Sequence, residues 1–310
     1  MKLQIKWYYK LIFSLLLLVL MVWQYDFTSV LDQIFTISYS YFLLSLFFGL
    51  MNVLISSMRL KSIYKIYNEE LYFHDLLKIY LKGNFYNNFL PSQIGGDVYK
   101  VFAIKKLLKN SDDESTAIAT FGVFMDRFSG LIILFFIGLI GLYLNFGLIG
   151  LVSAVFILVI GIIGYFFSLK YLRSKIKIID KFDKAGRVFF MNKRIAIKIF
   201  LSALLIQIVA ILSIYFAFIS IGSTASLTNF ILYVPIITII GVLPISFNGL
   251  GLQDYTYIGI FTNVIKVMSE EVAFAGSIMT HFSRFLLSLI GGLIVILDNF
   301  KQDNNDKANN

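Results

Sequence analysis

Leu90-Pro91-Ser92-Gln93-Ile94-Gly95-Gly96-Asp97 interrupts a very apolar chain, and Leu243-Pro244-Ile245-Ser246-Phe247-Asn248-Gly249-Leu250-Gly251-Leu252-Gln253-Asp254 interrupts it again. The chain holds only three prolines, and two of them follow a leucine in these stretches. Proline removes a backbone donor and glycine opens conformations closed to other residues, so each stretch breaks a helix. At membrane depth a broken helix survives only where protein or a wet cavity satisfies the freed backbone. Similar breaks in the two halves of a chain are the best sequence pointer to a transport site.

The surrounding sequence places these breaks in a membrane. Of 310 residues, 58% are hydrophobic, and the mean hydropathy is +0.82. One soluble core cannot bury that much apolar surface. The net charge of +9 sits in clusters between apolar runs, as orientation in a bilayer requires, and needs no nucleic acid to explain it. Cysteine is absent, which excludes disulfides, thiolate metal sites and cysteine catalysis. No Walker-type loop, metal-ligand His/Glu pair, nucleophile elbow or glycine-rich dinucleotide fingerprint occurs, so no cofactor, ATPase or other enzyme activity is expected.

Apolar runs predict spans at about 8–25, 34–57, 116–144, 147–169, 196–221 and 272–297. Lys2, Lys6 and Lys10 make the N-terminus basic ahead of the apolar run Leu11 to Trp23, and the first span lacks a small-residue cleavage site and reads as uncleaved. Basic residues then alternate with uncharged connections. The loop 24–33 carries only Asp26 and Asp32, the stretch 58–82 carries Arg59, Lys61, Lys65, Lys78 and Lys82, and Asn145-Phe146-Gly147 is uncharged. The segment 170–198 is the most basic of all, and it can also touch anionic headgroups. The positive-inside rule puts both termini and 170–198 in the cytoplasm. Lysines flank the first break on both sides, so about 80–103 reads as a re-entrant hairpin from the cytoplasm. The second break reads as a hairpin or two short spans entering from outside. The fold expected is an all-α polytopic membrane protein with six to eight transmembrane helices. It is one domain over 1–300, followed by a polar tail at 301–310; disorder is expected from Asp298 onward.

A shift of 157 residues lays Asp97 on Asp254, Glu114 on Glu271 and Arg127-Phe128 on Arg284-Phe285. Each half, about 1–145 and 146–300, then runs span, span, break, span. Three crossings per half turn the second half over, which makes an inverted repeat with the two broken hairpins at matching places. The prolines align only if the second break carries about one extra helical turn.

The candidate binding residues are Pro91, Gln93, Gly95, Gly96, Asp97 and Arg127 in the first half and Pro244, Asn248, Gly249, Gly251, Asp254 and Arg284 in the second. An arginine at mid-depth costs about 2.5–3.5 kcal/mol on insertion scales, so Arg127 and Arg284 should face a cavity or a partner. Two readings stand together: anion recognition by the guanidinium fork, and an internal salt bridge to Asp97 or Asp126. The glycine pairs let backbone approach a ligand and start half-helices whose amides face an anion. Asp97 and Asp254 either cap those half-helices or bind a proton or cation. Gln253 adds a neutral donor, Asn84, Asn87 and Asn88 satisfy nearby backbone, and His281 packs or hydrogen-bonds one turn from Arg284. Gly138 and its neighbours mark helix packing.

The run Asn88-Phe89-Leu90-Pro91-Ser92-Gln93-Ile94-Gly95-Gly96-Asp97-Val98-Tyr99-Lys100, followed by Asp126-Arg127-Phe128-Ser129-Gly130-Leu131, resembles the flippase-like transmembrane domain of lysylphosphatidylglycerol synthases and their stand-alone relatives. Pro244-Ile245-Ser246-Phe247-Asn248-Gly249-Leu250-Gly251 is similar to that family's second motif, with Asp254 where relatives often carry Glu. The resemblance implies a polytopic protein that moves a phospholipid or similar amphiphile between leaflets, and the lipid partner expected here carries an anionic headgroup. Lysyl-lipid synthesis is not expected of this chain, since only about ten polar residues follow the last expected span. A membrane glycosyltransferase or accessory subunit of surface-glycan assembly is the alternative, and a small-solute transporter a third. A homo-oligomer is compatible with the sequence.

Overall fold

The computed structural model describes residues 15–17, 19–21, 27–67, 69–89, 95–109, 112–172, 178–242, 246 and 248–308, with backbone only at 89, 112, 153–154, 156–183 and 301–308. The described chain is helical. Its elements are α1 (Phe27–Phe35), α2 (Tyr39–Lys65), α3 (Phe73–Phe89), α4 (Gly95–Lys105), α5 (Asp112–Leu172), α6 (Ile178–Met191) and α7 (Lys193–Ser220). After these come α8 (Leu227–Gly241), α9 (Leu252–Ile258), a π-turn (Gly259–Val264) and α10 (Glu270–Ala308). Among the described residues, four segments are long and apolar enough to cross a membrane: Tyr39–Lys65, Asp113–Val152, Lys193–Ser220 and Glu270–Phe300. The chain is therefore a polytopic helical membrane protein. The expected first span lies mostly outside the described residues.

The expected connection at Asn145-Phe146-Gly147 falls inside α5, at a residue with φ 58°. A Cβ placed on Gly150 would stand 2.6 Å from the Leu142 carbonyl. In a straight helix those residues would be about 12 Å apart, so the chain folds back on itself at Gly147.

The central pair is α2 on α7. Around it, α3 packs on α10 and α5 on α8, while α4 lies against α3 and α5, and α9 against α8 and α10. Adding 157 to the bounds of α2, α3 and α4 lands close to α7, α8 and the α9–π pair. Small residues set the closest approaches. A Cβ on Gly141 would meet the Leu232 carbonyl at 2.4 Å, so α5 and α8 touch backbone to backbone. Helices of apolar side chains in lipid gain by such close packing. The α6 helix docks by Phe189, fully buried beside Phe121, and by Ala185, whose carbonyl accepts the Tyr67 hydroxyl at 2.8 Å.

Three expectations need correction. Arg59 does not lie in a cytoplasmic loop: α2 continues two turns past residue 57 and buries it. Lys100 is likewise buried, not a solvated flanking charge. The stretch from Asp298 is not disordered, because α10 runs helically to Ala308 and Asp298 pairs with Lys82 of α3.

Candidate functional site

The first break is held by its own flanks. Asn87 Oδ1, two residues from the end of α3, accepts the Gly96 N–H at 2.8 Å and so caps α4. A Cβ on Gly96 would sit 2.0 Å from the Gly83 carbonyl, a clash with backbone that cannot move aside. Glycine is required there by close approach. Pro91 and Gln93 lie outside the described residues, as does Pro244 in the second break.

With Asn87 doing the capping, Asp97 in the first turn of α4 is left for charge pairing. It forms an ion pair with Arg127 of α5. Its Oδ1 lies 3.6 Å from Lys100 Nζ and receives no hydrogen bond. Lys100 in turn stands 3.6 Å above the centre of the Tyr80 ring, a cation–π contact. The Tyr80 hydroxyl donates to Asp126 Oδ2 at 2.8 Å. Asp126 Oδ1 takes Arg59 Nε at 2.9 Å and Nη2 at 2.8 Å, while Arg59 Nη1 is buried without a partner. One connected chain of charge thus runs from Arg127 through Asp97, Lys100, Tyr80 and Asp126 to Arg59. Of the partners considered for Arg127, Asp97 is the one that it pairs with.

The second break is a turn built on positive φ. Asn248 (51°), Gly249 (82°) and Gly251 (77°) all occupy the left-handed region, which glycine and asparagine tolerate best. Gln253 N–H donates to the Gly249 carbonyl at 2.8 Å, and Asp254 Oδ2 accepts the Gly251 N–H at 2.8 Å. Asp254 is therefore a cap, unlike Asp97. Its Oδ1 lies 2.9 Å from His281 Nε2. Arg284, one turn along α10, donates from Nη2 to Gln253 Oε1 at 2.9 Å. Its Nη2 also lies 3.3 Å from His281 Nδ1. The second half replaces the direct Asp–Arg pair of the first with a relay in which His281 stands between them.

The two breaks meet. Asn248 Nδ2 donates to Asn88 Oδ1 at 2.7 Å, and Asn88 Nδ2 reaches the Arg284 carbonyl at 3.5 Å. Both arginines also remain open. The Arg127 side chain is 37% exposed, and Arg284 is exposed despite its contact with Gln253. Each is followed by an exposed phenylalanine, Phe128 at 38% and Phe285 at 41%. Among the described residues, no group of three His, Asp or Glu is arranged to hold a metal.

A family model described as the lysylphosphatidylglycerol synthase TM region matches residues 7–292. The chain belongs to that family. Membership makes it a membrane protein of lipid-related function, and the match spans both breaks and both arginines. No curated protein matches the chain.

Reasoning from sequence missed Arg59, Tyr80 and Lys100 as members of the site. Nothing in local sequence marks Tyr80. Arg59 and Lys100 sit at the ends of apolar runs, where a cation ordinarily reads as an orientation signal.

Proposed function

We propose that this protein is a lipid translocase that moves a phospholipid or polyprenyl-phosphate-type lipid between leaflets without an ATPase of its own. The observation that carries this reading is the pair of open arginines, each followed in sequence by an exposed phenylalanine, at breaks joined by Asn88 and Asn248. A guanidinium left open within an apolar helix needs water or an anion, and a lipid phosphate offers the anion together with chains for the phenylalanines.

In this reading the halves form an inverted repeat in a cell membrane, with both termini cytoplasmic. The α3–α4 pair re-enters from the cytoplasm and the α8–α9 pair from outside. The matching element bounds at a 157-residue shift support that arrangement. So does the antiparallel course of α3 and α4, in which Gly83 meets Gly96 and Lys82 shares a cavity with Tyr99. Rocking one half against the other would expose the arginines to each leaflet in turn.

The test is a leaflet-resolved assay in proteoliposomes containing only this protein. Labelled phosphatidylglycerol in one leaflet should equilibrate faster than in protein-free vesicles, and faster than labelled phosphatidylcholine. Equal rates with and without protein, for phosphatidylglycerol and for a polyprenyl phosphate, would overturn the reading.

A further inference from the structure

A second polar feature lies away from the breaks. Helices α3, α4 and α10 are pinched together where Gly83 meets Gly96 and where a Cβ on Gly291 would stand 2.1 Å from the Leu81 carbonyl. On the lysine-bearing side of this pinch the three helices line an open cavity of about 520 Å³. Lys78 and Lys82 line it from α3, Tyr99 and Lys106 from α4 and the turn after it, and Asp298 from α10. Phe102, 62% exposed, lies along its apolar wall.

The charges in this cavity do not cancel. Asp298 is taken by Lys82, whose side chain is only 15% exposed. Asp75, the other carboxylate in the lining, lies 2.9 Å from His74 Nε2. Lys78 and Lys106 are exposed at the rim, and among the described residues neither is ion-paired. Orientation in a bilayer needs lysines near the surface; it does not need a cavity or a lysine drawn inside it. The volume falls within the roughly 300–1,000 Å³ of small-molecule sites, enough for a headgroup but not for two acyl chains.

We propose that this cavity is a phosphate-binding site, distinct from the breaks, that receives the headgroup of an anionic lipid. Lys78, Lys82 and Lys106 hold the phosphate, the Tyr99 hydroxyl adds a neutral donor, and Phe102 leads the acyl chains out between helices. Asp298 is a built-in competing anion, so the phosphate displaces it from Lys82 on entry. In the translocase reading, on which this proposal rests, the site loads lipid from the cytoplasmic leaflet before it reaches Arg127.

The experiment is calorimetric titration of the purified full-length protein in zwitterionic detergent. The probes are dihexanoyl phosphatidylglycerol, dihexanoyl phosphatidylcholine and inorganic phosphate. The first should bind saturably and the second should not. Lys78→Gln/Lys106→Gln should weaken phosphatidylglycerol binding by about tenfold or more, as loss of two charge-assisted contacts implies. Lys61→Gln/Lys65→Gln on α2, equal in charge and outside the cavity, should not. Asp298→Asn should tighten binding. Inorganic phosphate binding as tightly as the lipid, and fully displacing it, would overturn the lipid assignment in favour of a soluble phosphate. Equal weakening by both double variants, or no saturable binding of any probe, would overturn the site itself. A site that fails while translocation persists leaves the translocase reading standing. Failed translocation with cavity-dependent binding intact does the reverse.

Discussion

Asn248 and Asn88, 160 positions apart, are joined by a 2.7 Å side-chain hydrogen bond that ties one broken helix pair to the other. The backbone of Asn248 is left-handed, with φ 51°, which aims its amide across the junction. No other described side-chain hydrogen bond joins the tip of α3 to the second break, apart from the longer contact of Asn88 with the Arg284 carbonyl. If the halves rock, this junction has to open.

It follows that clamping the junction should stop transport. The chain has no cysteine, so Asn88→Cys/Asn248→Cys introduces a single reactive pair. A short bis-methanethiosulfonate should cross-link it in the purified protein, arrest lipid movement in proteoliposomes and release it on reduction. Cross-linked protein that translocates lipid as fast as the reduced form would show that the halves do not separate there.

The buried pair of Arg59 and Asp126 should behave as a structural element. Removing one member leaves a charge without its partner in a low-dielectric interior, at a cost of about 3–5 kcal/mol. Arg59→Ala should therefore lower thermal stability sharply. Arg59→Met/Asp126→Leu should recover most of the loss, because no charge is stranded. Thermal unfolding in detergent measures both; a single variant as stable as the parent protein would contradict the role.

Much of this architecture is legible in the sequence. Apolar runs locate α2, α5, α7 and α10, and the Pro/Gly stretches locate both breaks, because hydrophobicity and helix termination are local properties. The 157-residue shift also pairs Arg127 with Arg284. Other features are not local. Whether Arg59 and Lys100 face water or Asp126 and Tyr80 depends on which helices pack, and composition near a helix end is blind to that. Asp97 and Asp254 look alike in sequence. They diverge because Asn87 caps the first half-helix, whereas Asp254 caps the second itself and carries His281 as a partner. The contact of Asn88 with Asn248 exists only once both halves are assembled.

Orientation is tested at the two ends of α7, which spans Lys193–Ser220, a length of about 42 Å. Asn192 precedes it beside the most basic segment, and Thr224 follows it in an uncharged turn; both are exposed. An impermeant maleimide applied outside intact cells should label Thr224→Cys and spare Asn192→Cys until the membrane is permeabilised. The opposite pattern would invert the assignment of the termini.

The two arginines decide between recognition and structure. Arg127 already holds Asp97, so a purely structural role would be served by any cation that keeps this pair. Arg284 holds only neutral groups, Gln253 and the Thr280 carbonyl, besides its contact with His281. An interior guanidinium without a carboxylate partner is the stronger candidate to meet a lipid phosphate. Lysine keeps the charge but loses the planar fork that takes two phosphate oxygens at once. Arg284→Lys should thus cut translocation about tenfold or more, the equivalent of one charge-assisted hydrogen bond, with thermal stability nearly unchanged. Arg127→Lys should cost less, since a lysine can still pair with Asp97. Leaflet-resolved assays on both variants measure the difference. Unchanged translocation in both would assign these arginines to helix packing alone.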